Sequence, residues 1–187
     1  MDKTAMSTTK VITNKCRLSY SHVWDPSSID GVSEAKYGAC IVIPKSDTVT
    51  IKKIKVAVEA ATQEGIKTKW KGKKPAALKL PLRDGDEERP DDETFAGCYF
   101  INANSKNRPG VIDLAKHEIM DTSEVYSGCY CRFSINFYPF STSGNNGVAV
   151  GLNNIQKVAD GAPLAGRSRA EDDFDDDYEG EDFSELD

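Results

Sequence analysis

A mainly β fold with a single inserted helix follows from three features of this 187-residue chain. Several short runs alternate apolar and polar residues with a period of two. One run alone spaces its apolar residues by three and four, and clusters of Gly, Pro, Asn, Asp and Ser punctuate the intervals. The length suits one domain with appendages, because roughly 100 to 200 residues make one core that folds unaided.

Residues 1–9 are small and polar and predict a frayed terminus. From Lys10 to Trp24 the alternation predicts one long strand, with Ile12, Cys16, Leu18 and Tyr20 on one face and Lys15, Arg17 and Ser19 on the other. The run 25–31 breaks the chain, and a second strand extends from Ala35 to Ile43, stopping at Pro44. Asp47 has N-cap chemistry; Ile51, Ile54, Val58 and Ala61 follow it at helical spacing, so an amphipathic helix should reach Glu64 and end at Gly65. Residues 66–94 read as exposed loop, rich in Lys around Trp70 and then acidic between Arg83 and Glu93. Strands resume at Phe95–Asn104 and Gly110–Leu114. The clearest is Gly128–Phe140, where Cys129, Cys131, Phe133, Ile135 and Phe137 alternate with Tyr130, Arg132, Ser134, Asn136 and Tyr138, giving a core face and a polar-aromatic face. After a turn at 141–147, residues 148–152 form a last strand and 153–169 lead out to the C-terminal segment. Five or six strands with one helix predict a small closed or partly closed barrel of the oligonucleotide-binding kind, a five-stranded Greek key. A β-sandwich fits the same periodicity, which does not choose between them.

The net charge of −6 conceals two opposed parts: residues 171–187 hold 11 of the 30 acids and no Lys or Arg, leaving 19 acids against 24 basic residues and a body of about +5. That segment has too little apolar content to fold, which predicts a disordered tail with Phe174, Tyr178 and Phe183 spaced through its charge. The expected organisation is a flexible 1–9, a barrel over 10–166 and a tail over 167–187. Five cysteines, an odd number lying mostly in apolar runs, read as reduced thiols of a cytosolic protein. No stretch approaches the roughly 20 apolar residues that span a bilayer, so a soluble intracellular protein with no membrane partner is expected.

Binding single strands without reading sequence requires cations along the phosphates and flat side chains under the bases. The outward face of Gly128–Phe140 offers Tyr130, Arg132 and Tyr138, and the run 101–110 offers Asn102, Asn104, Lys106 and Arg108 at a strand end. Trp70 stands between Lys69 and Lys71, either as a clamp over a phosphate backbone or as a core plug beside a solvated lysine run. Trp24 reads as core. The tail imitates the charge of a nucleic acid; tethered near a positive groove, it would occupy that groove until DNA displaced it, then meet partner proteins through Phe174, Tyr178 and Phe183.

Enzymatic readings find little support. His22 and His117 have neither metal-binding nor nucleophile-activating spacing, and Cys129 and Cys131 lack zinc-ribbon spacing. The run from Asp84 departs from a calcium loop at Arg89 and Phe95, and no phosphate-binding Gly-rich loop is present. No cofactor and no metal are expected.

Three stretches, YFINANSKNRPGVID (99–113), EVYSGCYCRFSINFYPF (124–140) and GNNGVAVGLNNIQKVADGAPLAGRSRAEDDF (144–174), resemble a family of bacteriophage and prophage proteins similar to the acidic-tailed single-stranded DNA-binding proteins of phage replication. The resemblance runs from near Lys10 through the tail. It implies an oligonucleotide-binding barrel that coats single-stranded DNA during replication and recombination in the host cytoplasm, with the tail contacting replication and recombination proteins and a homodimer as a further assembly. Tyr130, Arg132, Asn102, Lys106 and Arg108 fall in the matching segments, with no individual role carried over. One departure stands out: tails of this type often finish on an aromatic residue, whereas Phe183 precedes the terminal Asp187 by four positions. Two rival readings remain at this level, an adaptor whose acidic tail captures basic proteins and a metal-dependent nuclease built on Asp84, Asp86, Asp91 and Asp92.

Overall fold

A computed structural model describes residues 9–28 and 30–164. The expectations for 1–8 and for the tail, including Phe174, Tyr178 and Phe183, lie outside the described residues.

Strands β1 (Lys10–Ile12) and β2 (Cys16–Ser27) replace the single strand expected from Lys10 to Trp24. Thr13 makes the break: its N–H donates to the Phe133 carbonyl at 3.0 Å and its buried hydroxyl accepts from the Phe133 N–H at 3.0 Å. The kink resets the alternation, so Val11 and Thr13 point inward while Ile12 is 40% exposed. A register shift after Ser19, with Tyr20 at φ +44°, likewise turns Tyr20 out to 55% exposure. Neither Ile12 nor Tyr20 joins Cys16 and Leu18 in the core, as the unbroken pattern had implied.

Strand β3 (Lys36–Pro44) leads to helix α1 (Thr48–Thr68), capped by Asp47, whose carboxylate accepts from the Thr50 N–H at 3.1 Å. The helix does not end at Gly65. Instead Gly65 supplies room: a Cβ there would stand 2.6 Å from two ring carbons of Trp70 and 2.7 Å from Pro139. The N–H groups of Lys69 and Trp70 both fold back to the Gly65 carbonyl at 2.8 Å, which drops the indole into that space.

The segment expected as loop is built. It contains β4 (Leu78–Lys79), β5 (Arg83–Asp84), the single turn α2 (Gly85–Glu88) and a 3-10 turn at Glu93–Phe95. Phe95 packs edge-on against Phe100 with centroids 5.0 Å apart, and with Cys40 and Val42 they form a small cluster outside the barrel wall. Lys45 holds the flap down through Asp84 at 2.9 Å and Asp86 at 2.8 Å. Strand β3 is therefore buried on both faces.

Strands β6 (Cys98–Ser105), β7 (Gly110–Ile112), β8 (Tyr130–Thr142) and β9 (Asn145–Ala159) complete one nine-stranded sheet. β2 pairs β3, β3 pairs β6, β6 pairs β9, β9 pairs β8, and β8 returns to β2. The sheet thus closes on itself as the five-stranded oligonucleotide-binding barrel, not a sandwich, and closure leaves no open edge in the ring. β1 extends the β2 border of β8, while β4 and β7 flank β9. The interior holds Leu18, Ile41, Ile101, Phe133, Ile135 and Ile155, closed by Ile51, Ile54, Ala57 and Ala61 of α1.

Candidate nucleic-acid interface

Because alternate residues of a strand point to opposite faces, burying Cys131, Phe133, Ile135 and Phe137 turns Tyr130, Arg132, Ser134, Asn136 and Tyr138 outward along β8. From Tyr130 to Tyr138 this line runs about 26 Å at ~3.3 Å per residue. Tyr138 is 44% exposed. Arg132 is exposed, with Nε donating to the Thr13 carbonyl at 3.1 Å. Tyr130 is half-buried with two cations near its ring, Lys15 Nζ at 5.4 Å and the Arg17 guanidinium at 5.6 Å from the ring centroid. Arg17 also donates to the Gly128 carbonyl at 3.2 Å and the Ala162 carbonyl at 2.8 Å, so the segment leaving β9 is tied down beside Tyr130.

Register joins this line to β6. Directly opposed residues share a face, and the chain of partners Gly38–Asn104–Gly151–Asn136–Lys10 crosses β3, β6, β9, β8 and β1. A parallel row sets Ile12, Ser134, Asn154 and Gly110 side by side. In both rows an asparagine lies over a glycine: a Cβ on Gly38, Gly151 or Gly110 would stand 2.6 Å from the Oδ1 of Asn104, Asn136 or Asn154 respectively. None of these glycines has positive φ, so what they contribute is space and not backbone freedom. The result is a low, amide-lined trough across the barrel wall with Lys10 at one end. Among the described residues, no hydrogen bond occupies the side-chain amides of Asn102, Asn104, Asn136 or Asn154.

Lys106 and Arg108 are exposed in the β6–β7 loop. Arg108 lies over the ring of Trp24 at 5.0 Å, and Lys106 faces Glu34 at 3.9 Å. Trp24 is half-buried as a lid on the core, with Nε1 donating to the Val125 carbonyl at 3.0 Å. Lys69 and Lys71 are exposed at the far end, beside the β8–β9 hairpin. Trp70 between them is the core plug and not the exposed clamp, of the two roles its sequence allowed: it is only 7% exposed, and Nε1 donates to the Phe140 carbonyl at 3.2 Å. The edge of its six-membered ring lies against Gly65, so the indole is packed inward and not presented on the surface.

The structure therefore assembles Tyr130, Arg132, Tyr138, Asn102 and Asn104 on one outward surface, sets Lys106 and Arg108 at a barrel end, and withdraws Trp70. Lys10, Lys15, Arg17, Asn136 and Asn154 join that surface without having been singled out in the sequence. Glycines within strand-like runs are a signal of close approach, but nothing local says which residue approaches.

Several titratable groups are held in one protonation state by their surroundings. Burial pushes the Cys16 and Cys40 thiols up to about 12, which keeps them protonated and unreactive. Hydrogen bonds from Lys45 hold Asp84 and Asp86 below the usual carboxylate range. Among the described residues, no group of three or more His, Cys, Asp or Glu side chains is placed to hold a metal ion. No helix among them is long and apolar enough to cross a membrane.

Residues 9–184 match the family model described as Enterobacter phage Enc34, ssDNA-binding protein. The chain is 31% identical over 178 residues to putative protein p50 of Acyrthosiphon pisum secondary endosymbiont phage 1, covering 89% of this chain and 93% of that one. The solved single-stranded DNA-binding protein from bacteriophage Enc34, in complex with ssDNA, superposes with a TM-score of 0.74 at 25% identity, over 84% of this chain and 90% of that one. The gp2.5 single-stranded DNA-binding protein encoded by bacteriophage T7 shares the fold, with a TM-score of 0.61 at 15% identity over 88% of this chain and 99% of that one.

Proposed function

The chain belongs to the family of the Enterobacter phage Enc34 ssDNA-binding protein, and from that membership we propose that it binds single-stranded DNA without strong sequence preference across the outward face of β8, β9 and β6. The observation that carries this reading is the continuous row Gly38–Asn104–Gly151–Asn136–Lys10, which gives a strand a floor low enough for close approach. Tyr130 and Tyr138 stack bases, each worth about 1–3 kcal/mol. Lys10, Lys15, Arg17, Arg132, Lys106 and Arg108 neutralise phosphates, and the free amides of the trough bond to sugar or phosphate oxygens, contacts that position a strand without reading its sequence. Lys69 and Lys71 extend the track past the hairpin.

In this role the protein shields single strands during phage replication and recombination. Residues 171–187, with 11 acids, compete with DNA for the cationic face and, once displaced, recruit replication proteins. Titrating the full chain and a 1–170 truncation with single- and double-stranded oligonucleotides of one sequence, at two salt concentrations, tests both parts. The full chain should prefer single strands, with a log-log salt slope of about −0.7 per phosphate contacted, and the truncation should bind tighter at low salt. Equal affinity of the two chains would remove tail competition; absence of oligonucleotide binding by either would remove the DNA-binding reading.

A further inference from the structure

Helix α1 turns Ile51, Ile54, Ala57 and Ala61 into the core, yet its opposite side is not a simple solvated face. Val49 is 57% exposed and Val56 46% exposed, and Ile12 of β1, 40% exposed, stands beside them. With Lys10, Lys52 and Lys53 these residues line an open groove of about 650 Å³ between α1 and β1. A second groove of about 690 Å³ on the other flank of the helix shares Lys52 and Val56 and adds Lys55, Tyr99, one acid, Glu59, and Lys45, whose charge is already paired with Asp84 and Asp86, so the α1–β1 groove is the more cationic of the two. Apolar side chains ringed by lysines favour an occupant that is both acidic and aromatic. A bare phosphate backbone would use the lysines and leave Val49, Val56 and Ile12 uncovered.

The chain itself contains such an occupant. Residues 171–187 alternate 11 acids with Phe174, Tyr178 and Phe183 and carry no basic residue. The described chain ends at Leu164, fixed to the Ser127 carbonyl at 3.0 Å, and residues 165–187 extended reach about 75 Å from there, farther than α1. We propose that the grooves astride α1 dock the acidic segment 171–187 of the same chain. Lys10 belongs both to the α1–β1 groove and to the trough across β8, so a segment seated on α1 lays negative charge against one end of the DNA track. The inference rests on the reading that this segment opposes DNA binding, and it gives the opposition a place.

The test is Lys52→Glu combined with Lys53→Glu, in the full chain and in the 1–170 truncation, whose barrel closes without the missing segment. Affinity for a labelled oligothymidylate at low salt should rise at least about threefold in the full chain, although two cations are lost, and stay unchanged in the truncation. Loss of affinity in both chains would make α1 a DNA surface and overturn the proposal. An unchanged affinity in both chains would place the dock elsewhere. Backbone amide NMR without DNA gives an independent reading: Val49–Val56 and Lys10–Ile12 should shift between the full chain and the truncation, by the same amount at all protein concentrations. Identical spectra there would overturn the proposal even if truncation tightens DNA binding, and concentration-dependent shifts would replace the same chain with a second copy.

Discussion

Replacing Trp70 by alanine separates two readings of one residue, a base-stacking platform in a lysine run or the plug that seats that run on the β8–β9 hairpin. The structure supports the plug, since the indole is 7% exposed and packs on Gly65. Burying a Trp side chain removes about 150–250 Å² from water, worth roughly 4–6 kcal/mol gross at ~25 cal/mol per Å²; truncations of this kind cost about 3–5 kcal/mol net. The lost bond to the Phe140 carbonyl adds little, because that residue is half-exposed and water can replace the indole N–H. For a chain of this size the destabilisation corresponds to a Tm lower by roughly 6–20 °C. Urea unfolding followed by the fluorescence of Trp24 should show a lower midpoint with an unchanged slope. At a temperature where the variant is folded, its affinity for single-stranded DNA should change by less than about threefold, under 1 kcal/mol. A stability loss below about 1 kcal/mol together with a tenfold or larger loss of DNA affinity would refute the argument and restore Trp70 to the binding surface.

Gly151→Val should fill the trough and displace the Asn136 amide, a side-chain end that yields easily; DNA affinity should fall about tenfold or more while the melting temperature moves only a few degrees, as titration and calorimetry would show. Tyr130→Ala should cost about 1–3 kcal/mol in DNA binding, measured by anisotropy, with little dependence on base composition. Lys10→Ala should reduce the log-log salt slope by about 0.7, a change that a purely structural lysine would not produce. Because Lys45 lowers the folded-state pKa of Asp84 and Asp86, the stabilisation of the flap is present above their unfolded value near ~3.9 and is lost as pH falls through the folded value. Lys45→Met should therefore flatten the acid limb of the stability curve below about pH 4 relative to the natural chain, read by urea midpoints as the pH is lowered.

How far the sequence reached depended on whether each element is specified locally. The alternation of Cys129 to Tyr138 sets the inner and outer faces of β8 wherever the strand pairs, and Asp47 caps α1 through its own neighbour Thr50. These features, with the opposed charges of body and acidic segment, were open to reading because a two-residue period, a cap and a charge count need no partner from elsewhere in the chain. β9 was read as ending at Leu152 because a register shift opposite Ser134 and Ile135 puts Asn153 out of phase, and the alternation resumes at Ile155 on the far side. β4 and β5 are two residues long and are strands only because β9 and β6 lie beside them. Trp70 is buried because Gly65 leaves room for it.

The residues of the binding face were thus visible as types, aromatic and cationic side chains alternating with a core, while their assembly was not. Gly38 meets Asn104 and Gly151 meets Asn104 across pairings between strands far apart in the chain, while Gly151 meets Asn136 within the β8–β9 hairpin, past the register shift of β9. A one-residue change in any of those registers would turn an asparagine into the core. Closing the barrel fixes all five registers together, and that collective constraint, absent from any local stretch of sequence, decides where the trough lies.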